Sequence, residues 1–440
     1  MNPITAADSP TVVPPRLFLS PVWWARGVRT AAGSLRDLGW LDAERARVYA
    51  VILTIVWIAL LAGIIGSLHG GHNSEGLPFG VDYPSFWAAS RLVLTGLPAD
   101  VYVVSMHRLA ELPVLVKEYA AFYYPPPYLV LCIPLGILPF FPSLIVFLCT
   151  TGMALAGTVR GILRTAWAVP ALLAYPAVLM NIVSGQNAFL TAAILGSGLT
   201  ILDRRPKLSG AILGLMIIKP HLALGVPIAL IIWRRWTALA YAAGAALGLI
   251  ALSYLIFGWD VWVAFFANAH NSREALEEGA AGFTKLQSAF AVARWLGFSV
   301  APAYIVQGVA AALAIFMLIQ AQHQGVSAAT EKSLIVLAGL LMTPFLLFYD
   351  MIILVLPLAW MLREWSDRGF PPWSKLVLLL VFCAPIGVLA FGPMQFGLPA
   401  LLLFGGYLVW FVPAPSRGHS FAQEANEDRN FQGSLSPRRY

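Results

Sequence analysis

The sequence predicts an all-α, polytopic transmembrane protein of about 10–12 helices, judged by runs near the ~20 residues a span needs. Three observations predict it. Of 440 residues, 59% are hydrophobic and only 11% are charged, where a soluble domain carries roughly 25% charged residues. Mean hydropathy is +0.76. Long apolar runs recur from Val51 to Val412. In lipid every backbone polar group must be paired internally, and these runs are too long for barrel strands, so the spans are helices.

Charge and cysteine content narrow the class further. The net charge of +7 fits an excess of Lys and Arg on cytoplasmic loops. No basic stripe lies on a soluble element, which excludes a nucleic-acid partner. Cys132, Cys149 and Cys383 sit within apolar spans without ligand spacing, so they read as small hydrophobes, neither a disulfide framework nor a metal site.

Residues 1–47 read as a cytoplasmic N-terminal segment. Its first fifteen residues are Pro- and Thr-rich and expected to be disordered. Arg16 to Trp40 mixes Trp23 and Trp24 with Arg26, Arg29 and Arg36, an amphipathic pattern suited to an anionic leaflet. Arg45 and Arg47 precede the first span, Val48 to Leu68, and place the N-terminus inside. His69 to Tyr124 is then a long first external loop holding two interfacial helices, around Phe86–Leu94 and Met106–Leu112.

The membrane part continues to residue 412. Pro127 to Pro139 is expected to be a shallow or re-entrant piece joined to the span from Ser143, because an odd number of crossings must link Tyr124 to the basic stretch Asp203–Lys207. Runs follow at Val169–Ile182 and Ala188–Leu202. Leu208–Trp233 forms a hairpin with arms short for full crossings. Trp236–Phe257 leads to a second external loop, Gly258–Ser288, and Pro302–Gln320 returns. Ser333–Leu347 and Met351–Leu362 make the next hairpin, Leu376–Phe391 and Pro393–Val412 the last, and residues 413–440 a disordered cytoplasmic tail.

With this topology the unusual polar residues fall on one side. Asp82 follows the first span, with Tyr83, Trp87 and Arg91 behind it. Tyr123 and Tyr124 enter the membrane before three prolines. Gln186 and Asn187 join two spans, Lys219 and His221 sit at one hairpin tip, and Tyr349 and Asp350 at another. Polar groups at membrane depth are costly and face a cavity or a partner. Each also has a local explanation: an Asx turn at Asp82, a snorkelling Lys219, an Asp350 paired with Lys219, and helix-end satisfaction by Gln186 and Asn187.

A carboxylate such as Asp82 can take the proton of a sugar hydroxyl attacking an anomeric carbon. A leaving lipid phosphate needs a cation, here Lys219 aided by His221 or Arg91. The aromatics can pack on sugar faces and isoprene units. No phosphate-cradling glycine loop and no paired-acid metal motif is present, so no cofactor is expected. A lipid-linked sugar would be the co-substrate, since nucleotide sugars are not expected outside the cytoplasm. The competing class is a transporter or flippase of a lipid-linked substrate. That class places polar breaks at the bilayer midplane, often in inverted repeats, and no matching halves are seen. A non-enzymatic scaffold would leave Asp82, Lys219 and Asp350 unexplained.

Asp82-Tyr83-x-x-Phe86-Trp87-x-Ala89, Tyr124-Pro125-Pro126, Gly185-Gln186-Asn187, Lys219-Pro220 and Tyr349-Asp350 occur in that order. In these motifs the chain resembles glycosyltransferase family 87 of the GT-C superfamily, from about Val48 to Trp410. The resemblance implies a GT-C-like fold and an inverting hexosyl transfer. The donor would be a polyprenyl-phosphate sugar such as polyprenyl-phosphate mannose, and the acceptor an external glycolipid or glycan. It also implies Asp82 as base, donor-phosphate contacts around Lys219, and an active site on the outer side of the inner (plasma) membrane.

Overall fold

A computed structural model describes residues 33–279, 282–391 and 395–412. Most of the amphipathic stretch expected at Arg16–Trp40, and the expected disordered tail, lie outside the described residues. The regular elements of the described chain are all helices. Its only β pairing consists of isolated bridges: His69 with His72, His72 with Pro78, and Leu286 with Leu347.

In chain order from Ala43 the α-helices are α1 (Ala43–Gly66), α2 (Tyr83–Leu94), α3 (Val104–Glu111), α4 (Pro126–Cys132), α5 (Phe140–Leu163), α6 (Ala168–Leu173), α7 (Pro176–Ser184), α8 (Ala188–Thr200) and α9 (Pro206–Gly214). After them come α10 (Pro220–Ala223), α11 (Gly225–Ile232), α12 (Trp236–Phe257), α13 (Trp259–Glu277), α14 (Ala289–Trp295), α15 (Val300–Gln324), α16 (Ala328–Met342), α17 (Val355–Arg368), α18 (Ser374–Phe391) and α19 (Gly397–Trp410). Four of these, α1, α5, α12 and α15, are long and apolar enough to cross a membrane. At 1.5 Å per residue, 24 residues reach about 36 Å, more than the ~30 Å hydrocarbon layer.

The other arms are broken, and the breaks have local causes. Pro176 starts a new helix and splits the run expected at Val169–Ile182 into α6 and α7, because proline cannot donate into the preceding turn. The piece expected to be shallow, Pro127–Pro139, is α4 followed by the 3-10 turn Ile133–Ile137. The Leu208–Trp233 hairpin is α9, the 3-10 turn Leu215–Ile218, α10 and α11. Its 13-residue arms reach only about 20 Å, so Lys219 at its tip stays within the protein.

One expectation changes. The second loop, Gly258–Ser288, is not loop for most of its length: α13 occupies 19 residues of it, and a strap follows that turns at Gly282–Lys285 and bridges at Leu286. Trp259, Val263 and Phe266 are exposed on α13, an apolar stripe at i, i+4 and i+7.

Helices α7, α8, α16 and the first half of α17 form the buried centre, and they carry apolar side chains on every face. Around them α5 packs on α8, α9 on α12, and α15 and α17 on α16. The α9–α12 contact is close because a Cβ at Gly210 or Gly214 would collide with the carbonyls of Ala238 and Ala242. Small residues let membrane helices approach in this way. By contrast α1 buries none of its side chains.

Two ends of the bundle differ in chemistry. At one, Arg235 and Lys332 pair with Asp203 at 2.7 and 3.1 Å. Arg363 donates to the Ile162 carbonyl, Arg47 lies over Trp167, and Lys375 donates to the carbonyls of Leu38 and Leu41. The breaks that carry Asp82, Tyr124, Gln186, Lys219 and Asp350 gather at the other.

Candidate active site

Asp82 is fixed by backbone before its side chain does anything. Gly80 N donates to the Val183 carbonyl at 3.1 Å and Asp82 N to the Ser184 carbonyl at 3.0 Å, binding the loop to the end of α7. The approach demands glycine on both sides. Gly80 and Gly185 have φ of +76° and +70°, and a Cβ on Gly185 would lie 2.9 Å from Gly80 Cα and from Tyr83 Cβ. Only glycine enters this region without penalty.

Asp82 occupies the N-cap of α2, yet its carboxylate caps nothing. The Asx turn that would explain it locally is therefore not formed. Oδ2 instead accepts from Gln186 Nε2 at 3.1 Å, and Oδ1 accepts from no donor among the described residues. A half-buried aspartate at a helix start that leaves the helix N–H groups alone is available for other chemistry.

From Gln186 the network runs inward. Tyr124 Oη lies 3.2 Å from Gln186 Oε1 and 3.4 Å from Asn187 Oδ1. Lys219 Nζ donates to the same Asn187 oxygen at 3.4 Å and to Asp350 Oδ1 at 2.7 Å. Leu347 N donates to Asp350 Oδ2 at 3.3 Å. The Lys219 ammonium also faces the rings of Tyr349 and Tyr124, at 5.4 and 6.0 Å. Side chains separated by up to 268 residues of sequence, Asp82 to Asp350 (350 − 82), thus form one chain of contacts.

Other predicted residues have different surroundings. Tyr83 is fully buried; its hydroxyl meets Ser143 Oγ at 2.7 Å and its ring packs on Phe86, Phe140 and Phe147. Trp87 is nearly buried and donates to the Leu138 carbonyl. Arg91 lies over the Trp87 ring, nine residues along α2 from Asp82, or about 13 Å. The helix thus carries Arg91 away from Lys219. Tyr123 is exposed on the rim, and His221 stands beside Phe345.

Desolvation is the largest influence on the Asp82 carboxyl and raises it above the ordinary carboxylate range. The Gln186 hydrogen bond pulls it back, followed by the charges of Lys285 and then Lys219, while Glu118 pushes upward. Lys285 was not singled out as a site residue by the sequence. Its placement depends on pairing with a segment some sixty residues away, and no local pattern signals that. Tyr128, whose ring lies 4.5 Å from Tyr124, was also not singled out, although its i+4 spacing from Tyr124 was a local signal that could have found it.

Among the described residues no three His, Cys, Asp or Glu side chains stand together as a metal ion would require. The arrangement is a carboxylate, a hydrogen-bonded relay and a buried ion pair, with aromatic walls. A carboxylate so placed can accept the proton of an alcohol.

No curated protein and no solved structure matches the chain. The model of glycosyltransferase family 87 matches residues 122–348, a stretch that contains Tyr124, Gln186, Asn187, Lys219 and His221 and stops short of Asp350; Asp82 precedes it. With that match over half its length and its apolar helices, the chain belongs to glycosyltransferase family 87 and is a membrane glycosyltransferase.

Proposed function

We propose that the chain moves a hexose, mannose being the leading choice, from a polyprenyl-phosphate sugar to a glycolipid or glycan acceptor outside the cytoplasm, with inversion and with Asp82 as general base. The acceptor hydroxyl oxygen forms a bond to the anomeric carbon as the bond from that carbon to the phosphate oxygen breaks. The hydroxyl proton passes to Asp82, and polyprenyl phosphate leaves. A single displacement of this kind needs one base and no second carboxylate nucleophile, and it inverts the anomeric centre. The observation that carries this reading is the Asp82 carboxylate, which is oriented by Gln186 and does not cap its own helix.

Sidedness is part of the proposal. Arg45, Arg47, Arg204, Arg205, Lys207, Arg234, Arg235, Lys332 and Lys375 all belong to the end opposite Asp82. Cytoplasmic loops hold the excess of Lys and Arg. This supports an inner (plasma) membrane protein with a cytoplasmic N-terminus and a site that opens outward.

The test uses the full chain in lipid nanodiscs, a polyprenyl-phosphate mannose donor and a membrane lipid acceptor fraction. Asp82→Asn should lower transfer by about 10²–10⁴-fold with an unchanged melting temperature. Full transfer by that variant would discard Asp82 as the base. Donor movement across the bilayer without glycosidic product would favour the transporter class.

A further inference from the structure

We propose that Lys285, held at the rim of the site by a strap fastened on both sides, is the cation that receives the donor's phosphate, and that Lys219 is not. This inference rests on the lipid-phosphate donor proposed above.

The first reason is the state of Lys219. Its side chain is 2% exposed and its charge is already matched by Asp350 at 2.7 Å. A phosphate would have to enter the buried pair and displace a carboxylate. Other cations near this end are engaged or remote. Arg91 lies on Trp87, Arg273 pairs with Glu277 at 2.7 Å, and Arg294 donates to the carbonyls of Phe298 and Glu277. Arg108 acts on Glu111 of its own helix, and the Lys117 side chain lies against Gly76.

The second reason is how the strap is built. Phe348 N donates to the Lys285 carbonyl at 2.9 Å and Gln287 N to the Leu346 carbonyl at 2.6 Å, around the Leu286–Leu347 bridge. On the other side Gln395 Nε2 donates to the Phe283 carbonyl at 2.6 Å, and Gly397 N to Gln287 Oε1 at 2.9 Å. Leu286 and Gln287 are fully buried. Lys285 closes the turn Gly282–Lys285, its N donating to the Gly282 carbonyl at 3.0 Å, and unlike the buried Leu286 and Gln287 that follow it is exposed. Its ammonium has no acidic partner among the described residues. The same pairing sets it beside Phe348, two residues from Asp350, and its charge acts on the Asp82 carboxyl more strongly than that of Lys219.

The chemistry suits an exposed lysine. The donor phosphodiester carries one negative charge, and the departing monoester approaches two. A flexible ammonium with three donors can follow that oxygen as the bond breaks.

The decisive measurement is binding of undecaprenyl phosphate, without sugar, to the full chain in phosphatidylcholine nanodiscs. Undecaprenol and phosphatidylglycerol serve as comparison ligands. Wild type should prefer the phosphate to the alcohol. Lys285→Gln should weaken phosphate binding by about 10- to 100-fold, the loss of one charged hydrogen bond, while Lys285→Arg stays within a few-fold. Asp82→Asn, which removes a negative charge near Lys285, should bind at least as well as wild type, and the double variant Lys219→Met/Asp350→Leu should bind like wild type. Unchanged binding by Lys285→Gln, or loss confined to the double variant, overturns the assignment. Equal competition by phosphatidylglycerol overturns it too, by making Lys285 a general headgroup contact. If wild type does not distinguish the phosphate from the alcohol, the lipid-phosphate donor itself fails, whatever Asp82 does.

Discussion

Lys219 Nζ stands 2.7 Å from Asp350 Oδ1 across 131 residues of sequence, and the two side chains are 2% and 0% exposed. The pair joins the tip of the α9–α11 hairpin to the start of the 3-10 turn Phe348–Leu354, with no other ion pair between these two breaks among the described residues. Removing one partner strands the other charge. Lys219→Met should therefore destabilise the protein by about 3–5 kcal/mol. Lys219→Met/Asp350→Leu, which buries no charge, should recover most of that loss. Denaturant titration of the three proteins in the same micelle checks this. A double variant no better than the single one would show that the ammonium does more than neutralise Asp350.

On the proposed mechanism Gln186 is a positioning residue. It donates to Asp82 through Nε2 and lies 3.2 Å from the Tyr124 hydroxyl through Oε1. The donated bond lowers the Asp82 carboxyl, opposing its desolvation. A base works only when ionised, so transfer should fall on the acid side at a pH above the ordinary carboxylate range. In Gln186→Leu the lowering bond is gone, the carboxyl rises further, and the acid limb of the rate profile should move to higher pH. A limb that stays in place while the rate falls would assign Gln186 a packing role only.

The sequence made several features plain. Helices α5, α12 and α15 follow from length and hydropathy, and α2 and α3 from apolar spacing in the first loop. The five polar breaks also lie together. What stayed hidden depends on direction or distance. Tyr83 and Trp87 carry the aromatic surface expected of a sugar platform, but composition does not tell which face of α2 turns inward, and both pack in the core. Arg91 is on the expected helix and one helix length too far away. Lys285 reaches the rim only through backbone pairing with residues 346–348, a contact without periodicity in either segment.

Gly185 offers a test of the loop that holds Asp82. Its φ of +70° disfavours any side chain, and a Cβ there would meet Gly80 Cα and Tyr83 Cβ at 2.9 Å. The backbone strain alone is of order 1–3 kcal/mol. Gly185→Ala should lower stability by at least ~1 kcal/mol and separate Gly80 from Val183, so transfer should fall even at temperatures where the variant is folded. A folded Gly185→Ala protein with wild-type transfer would mean that the Asp82 position tolerates movement of the loop.

The first loop contains a buried pair whose pH response can be worked out. His107 Nδ1 and Glu111 Oε1 are 3.6 Å apart with both side chains 0% exposed. Neither atom has a hydrogen-bond partner. His107 Nε2 faces the Ser85 carbonyl at 3.1 Å and Glu111 Oε2 accepts from Ala120 N, so the pair ties α3 to the start of α2 near Asp82. Burial lowers His107 to about 4 and raises Glu111 to about 8. A neutral imidazole beside a protonated carboxyl is the favoured state. For the raised acid, the stabilisation is full below its ordinary value of 4.5 and is lost as pH climbs toward 8. For the lowered imidazole it is full above 6.5 and is lost as pH falls toward 4. The two slopes cancel between 4.5 and 6.5, and only the loss from Glu111 remains from 6.5 to 8. Glu111→Gln keeps the shape and supplies a permanent N–H donor. The melting temperature of the wild type should therefore drop relative to Glu111→Gln as pH is raised from 6.5 to 8, and parallel curves would show that Glu111 does not titrate in that range.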